Sequence, residues 1–121
     1  MDSAPEMIIQ KRLDATEDWY IYVAPGIIDS TSNYYYLMFN TDAKGTTSSA
    51  APTATTFNPV STTGNYVAYA FHSLSGKSKV GSYTVTNSGS DTVVTTGFAV
   101  NWLIIKRTDS NCCSWLLDDG S

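Results

Sequence analysis

Thr, Val, Ile and Tyr dominate the apolar stretches of this chain, and no segment sets apolar residues at helical spacing for three turns. The pattern predicts strands almost throughout. Glu6 to Gln10 and Trp19 to Val23 read as a hairpin joined by the acidic turn Asp14-Ala15-Thr16-Glu17-Asp18. In a third strand, Tyr34 to Asn40, the side chains of Tyr34, Tyr36 and Met38 face one way and those of Tyr35, Leu37 and Phe39 the other. Both faces are apolar, so one belongs to a core and the other is free to meet a partner. Residues 41–63 hold Thr, Ser, Ala and Pro around Phe57, which reads as a long surface loop pinned by that ring. Tyr66 to Phe71 is unbroken and predicts a central strand covered on both faces. Lys79 to Thr86 and Thr92 to Thr96, joined by Asn87-Ser88-Gly89-Ser90-Asp91, predict a second hairpin, and Asn101 to Arg107 with Ser114 to Leu117 a third. About eight antiparallel strands fit an all-β sandwich or a jelly-roll-like fold.

One domain spanning 1–121 follows from a length of 121 residues, too short for two cores. Only 15% of the residues are charged, against about 25% in ordinary soluble proteins, so Thr, Ser and Asn supply most of the polar surface. A net charge of −4 and seven scattered basic residues exclude a nucleic-acid partner, which needs clustered Lys and Arg. No apolar run approaches the roughly 20 residues of a membrane span, and residues 1–6 lack the features of a secretion signal. The two cysteines, Cys112 and Cys113, are neighbours. Linked Cα atoms sit about 3.8 Å apart, whereas an ordinary bridge wants about 4.4–6.8 Å, so reduced thiols beside a turn at Asn111 are expected over a strained vicinal disulfide.

The ends of the chain carry two versions of one phrase. Ala4, Ile9, Lys11, Arg12 and Asp14 recur 95 positions later as Ala99, Ile104, Lys106, Arg107 and Asp109, and Trp19 recurs as Trp115 after one extra residue. Related hairpins at 4–22 and 99–118 in a chain holding little more than one period point to a piece of a longer pattern or to copies joined end to end. The phrases predict equivalent strand pairing, and equal destabilisation by Trp19→Ala and Trp115→Ala.

Three further phrases carry a family resemblance: Gly64-Asn65-Tyr66-Val67-Ala68-Tyr69-Ala70-Phe71, Gly76-Lys77-Ser78-Lys79-Val80-Gly81-Ser82-Tyr83, and Thr96-Gly97-Phe98 leading to Trp102-Leu103-Ile104-Ile105-Lys106-Arg107-Thr108-Asp109 and Trp115. With them the chain resembles a β-rich repeat domain of tail-fibre and other virion structural proteins of bacteriophages, marine ones especially. Residues 41–63 depart from that family. The resemblance implies a non-enzymatic virion structural protein, either a tail-fibre segment or a head-decoration or head-fibre component, located in the virion and serving assembly and host attachment. The double-sided apolar strand Tyr34 to Phe39 and the repeated end phrases point to the chain itself as a partner, as homotrimer or helical polymer, beside other virion proteins and a host surface glycan. The competing class is a secreted carbohydrate-binding module or an extracellular filament subunit.

Candidate chemistry is sparse. His72 ends the strongest strand and reads as a strand cap, because no Gly-x-Ser-x-Gly elbow accompanies it. Gly76-Lys77-Ser78 lacks the upstream glycine and the following helix of a phosphate loop and reads as a β-turn. Asp14, Glu17 and Asp18 lack the alternating pattern and central Gly of a calcium loop and read as a solvated turn. Nothing pairs any two of the eleven carboxylates for glycoside cleavage. No catalytic residue, cofactor or metal ligand is therefore expected. Aromatic rings are the remaining signal, at 12% of the chain. Trp19, Tyr69, Phe71, Trp102 and Trp115 are expected in the core, and Tyr34, Tyr35 and Tyr36 at an interface or against a glycan.

Overall fold

The structure, a computed structural model, describes residues 3–27, 34–41, 44–47, 52–57, 63–85, 91–110 and 113–120, with Tyr34 and residues 44–47 described by their backbone alone. Among these the fold is all-β and carries no helix. Strands β1 (Met7–Arg12), β2 (Tyr20–Val23), β3 (Tyr34–Met38), β4 (Lys44–Thr47) and β5 (Tyr66–Phe71) form one antiparallel sheet in the order β4-β3-β2-β1-β5. Strands β6 (Leu103–Ile105) and β7 (Leu116–Asp118) pair with each other and, among the described residues, with no other strand.

The register puts the apolar residues of β1, β2 and β3 in rows across the sheet. Tyr69, Ile9, Ile21 and Leu37 stand opposite one another on one face, and Ala70, Ile8, Tyr22 and Tyr36 on the other. Each row has its own core. On the first face Ile21, Val23 and Leu37 are buried under Met7, Ile9, Ile27 and Trp115. On the second, Ile8 and Tyr22 are buried and Tyr20 and Tyr36 pack against them, with Tyr36 ring centroids 5.9 Å from Tyr20 and 6.3 Å from Tyr22. Burial pushes the Tyr22 phenol up to about 12, helped by Tyr20, Tyr36 and Tyr66 around it. The Tyr20 phenol moves the same way, again chiefly by burial.

Several expectations need correction. Residues 41–63 are not all loop, because Lys44–Thr47 pairs with β3 as β4, and Phe57 is exposed instead of pinned. Among the described residues Tyr66–Phe71 is not central: it is an edge strand beside β1, with Ala68, Tyr69 and Ala70 exposed. The hairpin expected over Lys79–Thr86 and Thr92–Thr96 is not present among the described residues, where 79–85 and 91–96 join no ladder. Those segments are mostly exposed, so their alternating side chains have no surface to pack against and period two alone does not pair them. The Gly76-Lys77-Ser78 turn is formed: Leu74 accepts from the Lys77 and Ser78 amides at 2.9 and 3.0 Å, and Gly76 adopts a φ of 74°.

Two outcomes follow. Ile21 is wholly buried, whereas its counterpart in the repeat, Leu117, is 60% exposed. Ile21→Ala should lower the unfolding free energy by about 2–5 kcal/mol, and Leu117→Ala should change it by less than about 0.5 kcal/mol in dilute solution, as read from urea midpoints. Because the folded Tyr22 phenol holds its proton above the ordinary value of 10.0, its contribution is fully present below about pH 10 and is lost as pH rises toward about 12. Urea midpoints taken from pH 8 to 12 should fall in that window, and Tyr22→Phe should flatten the fall.

Candidate functional site

The two related phrases fold into hairpins with the same register. Ile9 pairs with Ile21 in the first, and their counterparts Ile104 and Leu117 pair in the second. Ile8–Tyr22 and Gln10–Tyr20 likewise correspond to Leu103–Asp118 and Ile105–Leu116. The turns are clasped by the same side chains. Lys11 Nζ donates to the carbonyl of Glu17, and Lys106 Nζ donates to the carbonyl of Cys113 at 2.5 Å, Cys113 being the counterpart of Glu17. Arg12 Nε donates to Asp14 Oδ1 at 2.6 Å, and Arg107 Nε donates to Asp109 Oδ1. This Arg-x-Asp link crosses the corner where the strand enters the turn, which is why the three residues recur together.

The first clasp is the more elaborate. Arg12 Nη1 also donates to Glu17 Oε1 at 2.6 Å, and Tyr66 of β5 donates to Glu17 Oε2 at 3.1 Å. A Cβ on Gly64, whose φ is 116°, would lie 2.7 Å from Arg12 Nε, so glycine lets the chain pass beside the guanidinium. The Arg12 hydrogen bond holds the Asp14 carboxyl below its ordinary value. Asp18 accepts from Asn40 Nδ2 at 2.7 Å. The acidic turn thus spends its carboxylates on Arg12, Tyr66 and Asn40.

Between the hairpins lies a pocket of about 420 Å³ lined by Ile9, Trp19, Phe39, Tyr69, Trp102 and Ile104. Its lining pairs Ile9 with its own counterpart, Ile104, so the hairpins face each other across it. Beside it, Trp115 stacks on Phe39 with centroids 5.3 Å apart and donates Nε1 to the Met38 carbonyl at 2.8 Å. β6 and β7 stay more than 8 Å, Cα to Cα, from the strands of the larger sheet, and side chains alone bridge the gap.

The expected core aromatics therefore divide. Trp115 and Phe71 are half-buried, whereas Tyr69 and Trp102 are each 52% exposed and Trp19 is 36% exposed. The cause is that, among the described residues, only the two strands β6 and β7 lie outside the larger sheet to cover these rings. Of the tyrosines assigned to an interface, Tyr36 packs in the Tyr20–Tyr22 cluster, Tyr35 is half-buried opposite Val23, and the Tyr34 side chain lies outside the described residues. The expectation of reduced thiols is also corrected. Cys113 is disulfide-bonded, in a chain whose one other cysteine is its neighbour, and has a φ of 73°.

A second, polar recess of about 400 Å³ runs from Glu6 along the Ser73–Val80 turn to Phe98. Glu6 Oε2 accepts the Ser73 amide at 2.6 Å and sits 3.9 Å from His72 Nδ1. Ser73 Oγ accepts from the Val80 amide at 2.9 Å, and Ser78 Oγ donates to the His72 carbonyl at 3.0 Å. These bonds tie the turn to Glu6, beside the start of β1, and to His72, beside the end of β5. The aromatic pocket was not legible in the sequence. The one available signal was the 95-residue spacing of Ile9 and Ile104.

The chain belongs to the family described as domain of unknown function DUF7483, whose match covers residues 1–121. No curated protein and no solved structure matches it.

The hairpins share a register, but their tryptophans do not share surroundings. Trp115→Ala should cost about 2–3 kcal/mol, below the roughly 3–5 of a fully buried ring, while Trp19→Ala should cost about 1 kcal/mol or less in dilute solution. Equal urea midpoints for the two variants would show that the rings are equivalent after all.

Proposed function

We propose that this DUF7483 member is a non-enzymatic structural subunit of a bacteriophage virion, a tail-fibre segment or a head-decoration or head-fibre component, that works as a homo-oligomer. The observation that carries the assembly part is the unequal cover of the apolar surface. Leu103, Leu116, Leu117, Trp102, Val93 and Val85 are exposed, all in the last third of the chain, and so are Tyr83 and Val94. Monomeric proteins seldom leave many large apolar side chains in water together, and a hairpin of two short strands is marginal alone.

In this reading the second layer becomes a full sheet on assembly, giving the sandwich of about eight strands that the sequence pattern calls for. A trimer is the preferred state and a helical polymer the next. The virion assignment is supported by the resemblance of the 64–71, 76–83 and 96–115 phrases to phage fibre repeats. The pocket of Ile9, Trp19, Phe39, Tyr69, Trp102 and Ile104 suits an apolar side chain of a neighbour, since its lining side chains are aromatic or aliphatic and none is charged. A host glycan, if the virion holds one here, would have to be met elsewhere.

Mass spectrometry of gradient-purified particles, with negative-stain images of the same fractions, tests the virion reading. The chain should travel with particles. Its recovery from culture supernatant in particle-free fractions would favour the secreted module or filament subunit instead. Light scattering at micromolar concentration should give a mass several times that of one chain.

A further inference from the structure

The polar recess beside the Ser73–Val80 turn holds groups that the fold does not use. Among its lining residues Glu6 is the one carboxylate and Lys79 the one ammonium, with Ser75 and Thr96 supplying hydroxyls, so the lining carries no net charge. Glu6 Oε2 accepts the Ser73 amide, whereas Oε1 has no partner among the described residues. Lys79 Nζ gives one hydrogen to the Thr95 carbonyl at 3.2 Å and keeps the others. Thr96 Oγ1 donates to the Phe98 carbonyl at 2.8 Å, which leaves its lone pairs to accept. Ser75 is exposed, and its hydroxyl likewise has no partner among the described residues. Two glycines keep the space clear: Gly76 and Gly97 line it with φ of 74° and 86°, and a Cβ added to either would meet no atom within 4 Å. Leu74, Val80 and the half-buried Phe98 are its apolar members.

We infer that this recess is a binding site for a neutral saccharide. A sugar ring carries hydroxyls that both donate and accept around its rim and apolar C–H groups on its faces, so it needs acceptors, donors and an apolar surface in one place. The recess supplies all three. Glu6 Oε1 and Thr96 Oγ1 accept, Lys79 donates, Ser75 does either, and Phe98 and Leu74 are there for the faces. A simple anion would meet the Glu6 carboxylate and a simple cation the Lys79 ammonium, so a lining of opposite charges favours a neutral ligand over both. The volume of about 400 Å³ lies within the ordinary range of small-ligand sites. The site holds the sugar without cleaving it, because glycoside hydrolysis uses two carboxylates flanking the bond and this lining has one. It shares no residue with the apolar pocket between the hairpins, so it stands whether or not copies of the chain assemble.

Amide NMR spectra of the full chain, titrated with the methyl glycosides of glucose, galactose, mannose and N-acetylglucosamine, test it. At least one of these should move the amides of Gly76 and Gly97 and leave those of Ile9 and Ile104, at the other pocket, in place. Ser75→Trp fills the recess from an exposed position, and Glu6→Gln removes the charge while keeping an acceptor for the Ser73 amide. Each should raise the dissociation constant for that glycoside at least about tenfold. Lys77→Ala, exposed on the same turn but outside the lining, should leave it unchanged. Urea midpoints show which variants keep the fold, and if Glu6→Gln lowers the midpoint the result is read from Ser75→Trp. The inference is overturned if no glycoside moves either glycine amide, if the shifts centre on the apolar pocket, or if Lys77→Ala weakens binding as much as Ser75→Trp does. Shifts at the same amides with inorganic phosphate or free glycine, and none with any glycoside, would replace the saccharide by an ionic ligand. Particle recovery and light scattering read the virion and assembly proposals separately, so either they or this site can fail alone.

Discussion

A β-hairpin satisfies its backbone on the inner side of each strand and leaves the outer sides and both faces to be completed by something else, and this protein meets that constraint twice with different results. The first hairpin has β5 on one side and β3 on the other, and both of its faces are packed. Its central positions are accordingly well buried: Ile8, Gln10 and Ile21 are closed to solvent, and Tyr22 and Val23 nearly so. The second hairpin has the same register and the same Lys and Arg clasps, yet leaves Leu116 and Leu117 in water. What differs is the neighbourhood, not the hairpin. Local sequence suffices to make the turn and the pairing, while burial is conferred by strands that arrive from far along the chain.

The clasps explain why a corner phrase is more strongly repeated than a core phrase. A lysine that reaches the carbonyl across the turn, and an arginine that holds an aspartate two residues on, need fixed identities at fixed spacings. An apolar position in the strand needs only bulk, so Ile8 can be Leu103 and Ile21 can be Leu117 without changing the ladder. The first unit then adds what the second lacks: Glu17 joins Arg12 to Tyr66 and so fastens the turn of β1 and β2 to the start of β5. At the corresponding place the second unit has Cys113 in a disulfide.

Much of this was legible before the structure. The all-β character, strands β1, β2, β3 and β5 to within a residue or two, and the equivalence of the end phrases follow from β-branched and aromatic runs and from the recurrence of Lys11, Arg12 and Asp14. The errors have one physical source, since alternation shows that a residue faces a side but not whether that side is covered. Tyr69 and Trp102 were placed in the core by size and spacing, and they line an open pocket because the layer above them is narrow. Tyr36, placed at an interface by the crowding of three tyrosines, is instead packed against Tyr20 and Tyr22 from β2. β4 was missed because Lys-Gly-Thr-Thr has no apolar period, and its pairing with β3 depends on where β3 lies. The hairpin over 79–96 was expected from a pattern that requires a surface beneath it.

The aromatic pocket follows from the same imbalance. Trp115 fills one end of the space between the hairpins, stacking on Phe39 and using its only polar atom on the Met38 carbonyl. At the other end Trp19, Tyr69 and Trp102 meet around Ile9 and Ile104 without a ring to close the gap. Cores of natural proteins are packed to crystal density, so an all-apolar opening of this size beside a well-packed tryptophan is a place where the single chain stops short of a finished interior.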